Sequence, residues 1–358
     1  MTISIPKTIA EVDKAWMSQV VGTPVTDLQL TQIGQGVGIM GDIFRVTLTL
    51  AEPGQGPASV VVKLPSSFEE NRQQGVALGM FEAEVRFYNE LAGEVPVGLP
   101  QIYFADIAAD GAQFVIVMED LSAMRMVEQH IGMTGEEAKA AVEVLARVHA
   151  VWWGRAQVEA LDWIPSMIGP RIEFVDQMLT QMLPTFLSGF AQYLPDGGVA
   201  VYENFAGNYL NINTVIAGRS PWTVTHQDYR VENLLFSDER VVILDWQGIG
   251  RGPGAYDLAY ILSGSMDTET RRACEPELLD HYLATLQDGG VSGYSAEQLA
   301  DDYGLAQMMG GLATAMFTGG GMDLSNERGV QLVATMARRH VTAALDHNGL
   351  ERLKEIVG

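Results

Sequence analysis

The stretch from residue 225 to residue 257 constrains this chain more than any other. Within it, Asp228 and Asn233 lie five residues apart, and Asp245 follows twelve residues after Asn233. Two short apolar runs flank a polar turn between Asn233 and Asp245, a pattern that predicts a tight β-hairpin. Such a hairpin brings Asn233 and Asp245 to the same end of two paired strands, with Asp228 on the loop just before them. Oxygen-bearing side chains at one end of a rigid hairpin suit a hard cation such as Mg²⁺.

Three glycines near the start of the chain, Gly36, Gly38 and Gly41, have the spacing G-x-G-x-x-G. A dinucleotide-binding fold requires a helix directly after such a loop. Here the alternating, β-branched run 43–50 follows and predicts a strand. A strand, a glycine loop and a second strand form the arrangement that covers nucleotide phosphates in kinases. An ordinary glycine-rich hairpin is the alternative.

A lysine and a glutamate occupy predicted buried positions. Lys63 ends the apolar strand 59–64, where burial without an anionic partner is costly. Glu84 lies within the apolar stripe of a helix predicted over 79–91, where a lone carboxylate is equally unfavourable. Because each charge needs an opposite one, the two side chains are predicted to pair. A strand-end lysine that reaches solvent is the alternative for Lys63.

Helical patterns account for much of the remaining chain. Residues 6–22 read as an amphipathic helix, and Thr134 with Glu137 predicts a capped helix running to about residue 153. Further helices are predicted over 171–194, with an interruption at Pro184, and over 257–263, 267–286, 295–318 and 324–345. Glycines at 310, 311 and 319–321 interrupt this helical tail and either permit close helix packing or mark a mobile loop. The apolar stripe at 178–190 is either core or one wall of a substrate site.

Three segments carry a resemblance to a known family. The segment HQDYRVENLLF at 226–236 resembles the catalytic motif of aminoglycoside phosphotransferases and choline kinases, which have a protein-kinase-like fold. LDWQ at 244–247 stands where protein kinases have Asp-Phe-Gly, and GPGAYDLA at 252–259 continues the match. The resemblance covers roughly residues 25–290 and is strongest to the ecdysteroid-kinase-like proteins and to kinase domains fused to acyl-CoA dehydrogenases. Gln227 is a departure, because the family usually carries Gly there.

The resemblance implies an α+β, two-lobed fold with a small antiparallel sheet lobe and a larger, mostly helical lobe. The nucleotide-binding lobe, including the N-terminal helix, is expected over residues 1–118. A hinge follows at 119–122, and the catalytic and acceptor-binding lobe occupies 123–358. Backbone groups of the hinge would bind adenine. The alternative for the acidic residues there, Glu119 and Asp120, is that they are plain linker residues without a catalytic role.

The resemblance also implies roles for individual side chains. Lys63 would hold the α- and β-phosphates of ATP and would be oriented by Glu84. Asn233 and Asp245 would bind Mg²⁺, and Asp228 would accept or orient the proton of the acceptor hydroxyl. The residues implied to bind ATP are Gly36, Gly38, Gly41, Lys63, Glu119, Leu121, Leu235 and Ile243.

Three further residues of the motif have implied supporting roles. Asp257 resembles the aspartate that supports the catalytic loop in the family, and His226 would brace the loop through hydrogen bonds. Arg230 would either neutralise charge or pin the loop to an acidic neighbour.

The composition limits the partners. A net charge of −23 argues against nucleic acids and anionic membrane surfaces as ligands. The single cysteine, Cys274, excludes an intramolecular disulfide and suits a reducing cytoplasm. With no signal segment and no apolar run approaching about 18 residues, we expect a cytoplasmic protein without a membrane span, either a monomer or a homodimer.

The predicted activity is an ATP- and Mg²⁺-dependent transfer of phosphate to a hydroxyl of a small molecule. A lipid-like, steroid-like or hydroxyacyl acceptor is favoured, and an aminoglycoside or a choline-type amino alcohol is the alternative. A pseudokinase, which binds nucleotide without turnover, is the rival from another class. The P-loop and G-x-S-x-G motifs are absent, and the six histidines show no metal-ligand spacing.

Overall fold

The computed structural model describes residues 3–33, 41–154 and 156–357. The chain divides into two compact units. The first consists of Met1–Arg125 and Val242–Gly248, and the second of Met126–Val241 and Ile249–Gly358. The first unit is built on an antiparallel sheet and the second is larger and mostly helical, which confirms the predicted α+β class. The hinge at 119–122 stays a prediction.

The strands are β1 (Val25–Ile33), β2 (Gly41–Leu50), β3 (Ser59–Pro65), β4 (Ile102–Ile107), β5 (Phe114–Glu119), β6 (Arg125–Met126), β7 (Trp222–Thr225), β8 (Leu234–Phe236), β9 (Val241–Ile243) and β10 (Gly250–Pro253). The helices are α1 (Lys14–Val21), α2 (Glu69–Ala77), α3 (Met80–Arg86), α4 (Gly135–Trp152), α5 (Ala156–Ala160), α6 (Pro170–Phe190), α7 (Gly198–Phe205), α8 (Tyr209–Arg219), α9 (Ala255–Gly264), α10 (Thr268–Asp288), α11 (Ala296–Ala306), α12 (Gly310–Gly320), α13 (Glu327–Asp346) and α14 (Gly349–Val357).

A five-stranded antiparallel sheet in the order β1-β2-β3-β5-β4 forms the first unit. Valines on the central strands pack with Trp16 and Met17 of α1 into the hydrophobic core. Lys63 lies near the end of β3, opposite Ile43 of β2 and Ile116 of β5. The two neighbouring strands therefore fix the backbone of Lys63 on both sides.

The N-terminal helix is shorter than predicted. Residues Ile9–Glu11 form a separate 3₁₀ turn, and α1 begins only at Lys14. Asp13 is the reason, because its carboxylate caps the helix by accepting a hydrogen bond from the Trp16 N–H at 2.8 Å. The prediction of one helix from residue 6 was wrong in its first turns.

The helix predicted over 79–91 changes its winding part of the way along. It runs as α3 to Arg86 and continues as a π-helical turn over Phe87–Leu91. π-Turns of this kind occur frequently at functional sites. The predicted stripe is buried as a whole, with Phe81, Glu84, Tyr88 and Leu91 among its members.

Helix pairs form the second unit. The helix α4 packs on α10, and α12 packs between α6 and α13. At the start of α4, Thr134 and Glu137 form the predicted capping box. Among the residues that the structure describes, no helix has both the length and the apolar character needed to cross a bilayer.

Two predictions in this unit were wrong. The helix α6 continues through the predicted interruption at Pro184. A proline has no N–H, so the carbonyl four residues earlier, that of Thr180, loses its helical hydrogen bond. Both residues lie on the exposed face of the helix, where this loss is tolerated. The helix predicted over 295–318 is two helices, α11 and α12, with Met309 in a non-helical conformation between them. At the start of α12, a side chain on Gly310 would come within 1.9 Å of the Tyr256 hydroxyl, so this glycine permits close packing.

Candidate active site

Lys63, Glu84 and Asp245 form a charge cluster in the first unit, which we call the Lys63 cluster. The Lys63 ammonium donates to Glu84 Oε2 at 2.7 Å and to Asp245 Oδ1 at 2.8 Å. Glu84 is 1% exposed and Lys63 is 7% exposed, so the first contact lies in the interior. No other described residue accepts a hydrogen bond from this ammonium, which leaves its third N–H for a ligand.

Burial and the neighbouring charges act in opposite directions on the pKa values of the Lys63 cluster. Burial alone would lower the pKa of Lys63, but Asp245 and Glu84 outweigh burial and the pKa is raised. Burial raises the pKa of the Glu84 carboxyl, although Lys63 acts against the rise. Glu84 Oε1 has no hydrogen-bond partner among the described residues. One ammonium is thus shared by two carboxyl groups, and Asp245, the more exposed of the two, carries oxygens of the type that suits a divalent cation.

Asp245 is held in a particular orientation. Its backbone has a φ of +65°, in the left-handed region. The side-chain amide of Gln247 donates to Asp245 Oδ2 at 3.1 Å, while Lys63 takes the other oxygen. Next to Asp245, the Trp246 ring stacks on Phe87 with centroids 3.8 Å apart, which connects this segment to the π-turn after Glu84.

In the second unit, residues 225–233 form a loop whose backbone is fixed by a buried aspartate. Asp257, which is fully buried in the first turn of α9, accepts hydrogen bonds from the N–H groups of His226 at 2.6 Å and Gln227 at 2.8 Å. His149 Nε2 lies 3.2 Å from the same carboxylate. Gln227 has a φ of +63°, and its side chain lies over Gly250, where a Cβ would come within 1.8 Å of it.

Asp228 follows directly, and its carboxylate is one-third exposed. Its Oδ2 accepts from Asn233 Nδ2 at 2.9 Å and lies 3.4 Å from Arg230 Nε. Its Oδ1 accepts from the Tyr260 hydroxyl at 3.0 Å. The main chain of Asp228 is tied down too, because its carbonyl accepts from Asn233 Nδ2 at 2.8 Å. The side chain is thus presented at the surface of the second unit with both oxygens oriented.

Asn233 is suited to bind a cation. Both of its side-chain hydrogen bonds to described residues use Nδ2 as the donor, so the amide oxygen accepts no hydrogen bond from a described residue. Its amide oxygen and the Asp245 carboxylate are donors of the type that Mg²⁺ prefers. Among the described residues, no group of three or more His, Cys, Asp or Glu forms a metal site. The predicted site does not depend on such a group, because Asn233 is one of its ligands.

The other loop residues have supporting contacts. Arg230 pairs with Glu232, and Glu232 accepts from the Gln129 N–H at 3.2 Å. His226 Nδ1 lies 3.3 Å from the Asp228 nitrogen. These contacts agree with the interpretation of Arg230 as a residue that pins the loop.

The predicted ATP-binding residues have varied surroundings. Gly36 and Gly38 lie outside the described residues, whereas Gly41 begins β2, where a Cβ would meet the Leu64 carbonyl at 3.0 Å. Glu119 ends β5 and accepts from the Gln101 N–H at 3.1 Å, and Leu121 is buried. In the second unit Leu235 is half-buried on β8, and in the first Ile243 is buried on β9.

Two residues in contact with the candidate site were missed in the sequence. Gln247 was noted only as the last residue of the LDWQ segment, yet it orients Asp245. Tyr260 lies one helical turn after Asp257, within a run of ten buried residues. A buried tyrosine hydroxyl requires a partner, which was the available signal, but the sequence does not identify Asp228 as that partner.

Comparison with known proteins gives a consistent result. The ecdysteroid kinase-like family matches residues 35–290. An uncharacterized kinase-like protein from Caenorhabditis elegans is 23% identical over 256 residues, which is 67% of this chain and 65% of that protein. The chain therefore matches just under two thirds of the length of this curated relative.

Solved structures share the fold. A candidate aminoglycoside phosphotransferase from Ralstonia eutropha JMP134 is 18% identical, with a TM-score of 0.58 over 94% of this chain and 98% of that one. Choline kinase from Cryptosporidium parvum is 11% identical, with a TM-score of 0.54 over 92% and 91% of the two chains. Ethanolamine kinase from Plasmodium vivax is 11% identical, with a TM-score of 0.51 over 89% and 81%. The family match extends over more than half of the chain, so the chain belongs to the ecdysteroid kinase-like family and has a kinase-like fold.

Proposed function

We propose that the protein is an ATP- and Mg²⁺-dependent phosphotransferase that moves the γ-phosphoryl group of ATP to a hydroxyl of a small molecule. The observation that carries the proposal is the Lys63 cluster, a buried ammonium fixed at 2.7 and 2.8 Å by two carboxylates in a chain of this family. Phosphoryl transfer depends on positioning and charge neutralisation more than on covalent chemistry. The contacts of Lys63 and of Asp228 supply groups for both tasks.

The proposed roles follow from these contacts. Lys63 binds the α- and β-phosphates through its remaining N–H, and Glu84 and Asp245 hold it in place. Asn233 and Asp245 would hold Mg²⁺, which would supply charge neutralisation to the phosphate groups. Asp228 aligns the acceptor hydroxyl and takes its proton. A carboxylate is a weak base for an alcohol, so alignment is the larger part of its contribution.

The remaining ATP contacts are proposed on the resemblance alone. They are the glycine loop with Gly36, Gly38 and Gly41, the hinge residues Glu119 and Leu121, and the apolar side chains Leu235 and Ile243.

For the acceptor we propose a hydroxylated lipid-like, steroid-like or hydroxyacyl compound. The half-buried side chains of Met178 and Met182 on α6 support an apolar acceptor, because methionine adapts to varied apolar shapes. The acidic net charge of −23 favours the alternative, an aminoglycoside or an amino alcohol of the choline type.

The proposal is tested by a coupled ADP-release assay with Mg·ATP across a panel of hydroxylated compounds. The panel contains hydroxyacyl species, sterols, aminoglycosides and choline. We expect a hit that disappears in Asp228→Asn and on removal of Mg²⁺ with EDTA, while calorimetry shows that Asp228→Asn still binds Mg·ATP. Asp238→Asn is the matched control, because Asp238 is exposed in the turn after β8.

Equal transfer by the wild type and by Asp228→Asn would refute the role of Asp228. Absence of Mg·ATP binding by the wild type would refute the phosphotransferase proposal itself. Nucleotide binding without ADP release on any acceptor, water included, would favour the pseudokinase.

A further inference from the structure

The hydroxyl of Tyr260 is a contact of Asp228 that comes from outside the 225–233 loop. Tyr260 lies on α9 and donates to Asp228 Oδ1 at 3.0 Å. Its ring is 2% exposed, whereas the Asp228 carboxylate is one-third exposed. A rigid interior residue therefore holds a side chain that faces solvent.

The two oxygens of Asp228 are not equivalent. Oδ2 accepts from Asn233 Nδ2 at 2.9 Å and has Arg230 Nε 3.4 Å away. Of the described residues, only Tyr260 donates to Oδ1. Each carboxylate oxygen can accept about two hydrogen bonds. Oδ1 is therefore the oxygen with an open position for the hydroxyl of an acceptor.

Tyr260 is itself held firmly. Its ring is nearly parallel to that of Tyr256, at a centroid distance of 6.3 Å, and lies 5.4 Å from the ring of His340. One turn earlier on the same helix, Asp257 holds the backbone just before Asp228. One helix thus fixes both the main chain that leads to Asp228 and the carboxylate of Asp228.

The hydroxyl of Tyr260 remains a donor at neutral pH. Burial and the nearby charge of Asp228 both raise its pKa well above the usual value. The proton of the hydrogen bond to Oδ1 therefore belongs to Tyr260.

We propose that Tyr260 is a positioning residue that turns Oδ1 of Asp228 toward the acceptor hydroxyl. The inference rests on the proposed function. In the step, the acceptor oxygen bonds to the γ-phosphorus while the bond to the departing ADP oxygen breaks, and ADP keeps that electron pair. The acceptor proton passes to Oδ1, and Tyr260 keeps its own proton. Without Tyr260, the carboxylate is held through Oδ2 alone, by Asn233 and Arg230, and Oδ1 loses its fixed direction. Misalignment of this kind slows a transfer that depends on orientation.

The test is Tyr260→Phe, which removes one oxygen atom and leaves the ring in place. The matched control is Tyr294→Phe. The Tyr294 hydroxyl likewise donates to a carboxylate, that of the buried Asp302, at 2.9 Å. The assay measures ADP release from Mg·ATP with water as the acceptor, and then with any acceptor found by the panel. We expect Tyr260→Phe to lower kcat about tenfold with the KM for Mg·ATP unchanged. Tyr294→Phe should keep the wild-type kcat.

Two controls separate positioning from a general loss of structure. Thermal unfolding of both variants should show similar losses, because each loses one hydrogen bond to a carboxylate. Tyr260→Phe in the Asp228→Asn background should lower the residual rate no further, since the carboxylate that Tyr260 positions is then absent.

The possible failures are distinguishable. If the wild type releases ADP, Asp228→Asn does not and Tyr260→Phe matches the wild type, the positioning role is wrong and the proposed function stands. If Tyr260→Phe raises KM for Mg·ATP with kcat unchanged, the residue acts on nucleotide binding and the inference is overturned. If neither the wild type nor Asp228→Asn releases ADP, the proposed function fails and the role of Tyr260 fails with it.

Discussion

Replacement of Asp257 by Asn should loosen the loop that carries Asp228 without removing any group that touches a substrate. The Asp257 carboxylate is fully buried and accepts the backbone N–H groups of His226 and Gln227, at 2.6 and 2.8 Å. The two N–H groups use different oxygens. Asparagine keeps the size of the side chain but supplies only one oxygen.

The size of the effect follows from these contacts. Asp257→Asn loses one hydrogen bond to a charged acceptor, which contributes about 1.5–3 kcal/mol. Its NH₂ group faces that same N–H and leaves it unsatisfied, a loss for which the cost of about 1–3 kcal/mol is an alternative measure and not an addition. We therefore expect local destabilisation of about 1.5–3 kcal/mol. Because each 1.4 kcal/mol corresponds to about a factor of ten, amide exchange in the loop should accelerate about 10- to 100-fold.

Hydrogen exchange followed by mass spectrometry on a peptide spanning residues 222–236 measures this opening. The rate of phosphoryl transfer should fall together with the protection of the loop amides from exchange. The reason is that Asp228 directly follows His226 and Gln227, whose N–H groups lose their acceptor. Asp302→Asn is the control, because Asp302 is also buried but accepts from the side chain of Tyr294 and not from this loop. Wild-type protection of the loop in Asp257→Asn would contradict the assignment of Asp257 as the residue that holds it.

Two further predictions concern buried ionisable side chains. Lys63→Met leaves the Glu84 carboxylate buried without its cation, so stability should fall by about 3–5 kcal/mol in denaturant unfolding. Addition of Glu84→Gln should recover most of that stability, whereas transfer should stay lost in both variants; recovery of transfer in the double variant would show that Lys63 is dispensable. His340 is buried, and burial followed by the charge of Arg339 lowers its pKa from 6.5 to about 3. Below pH 6.5 the unfolded chain binds a proton at this histidine, whereas the folded chain does not. The free energy of unfolding should therefore fall on acidification toward pH 3, by up to about 1.4 kcal/mol per pH unit. His340→Asn should lose this part of the slope, and an unchanged slope between pH 6.5 and 4.5 would contradict the assignment.

The sequence predicted the pairing of Lys63 with Glu84, although not the contact of Lys63 with Asp245, because burial leaves a charged residue few options. Lys63 ends an apolar strand and Glu84 lies within an apolar helix stripe, so each needed a partner of opposite charge. The structure places them 2.7 Å apart. The strands β2 and β3 were also predicted, since alternation and β-branched residues act locally.

Other features depend on tertiary contacts that no local pattern encodes. The segment containing α7 and α8 was not predicted as helical, because polar residues and Gly207 interrupt its apolar pattern. One of those polar residues, Asn213, is buried and bonds back to the Tyr209 carbonyl at 2.7 Å. The contact between Tyr260 and Asp228 joins residues 32 positions apart. Asn213 finds its partner one helical turn back on the same helix, whereas Tyr260 finds a partner that only the folded chain supplies.

Backbone strain in this chain coincides with the candidate site. Within the described ranges, the non-glycine residues with positive φ are Gln227, Asp245 and Asn348. Asn348 follows a helix end, where asparagine is well tolerated. The other two lie at or beside the proposed site, and such conformations cost about 1–3 kcal/mol unless surrounding contacts enforce them. Those contacts are present, since Gln227 donates its N–H to Asp257 and Asp245 is held by Lys63 and Gln247. A glutamine can therefore occupy a position where the family usually has glycine. The exchange stiffens the approach to Asp228 and leaves the proposed catalytic groups unchanged.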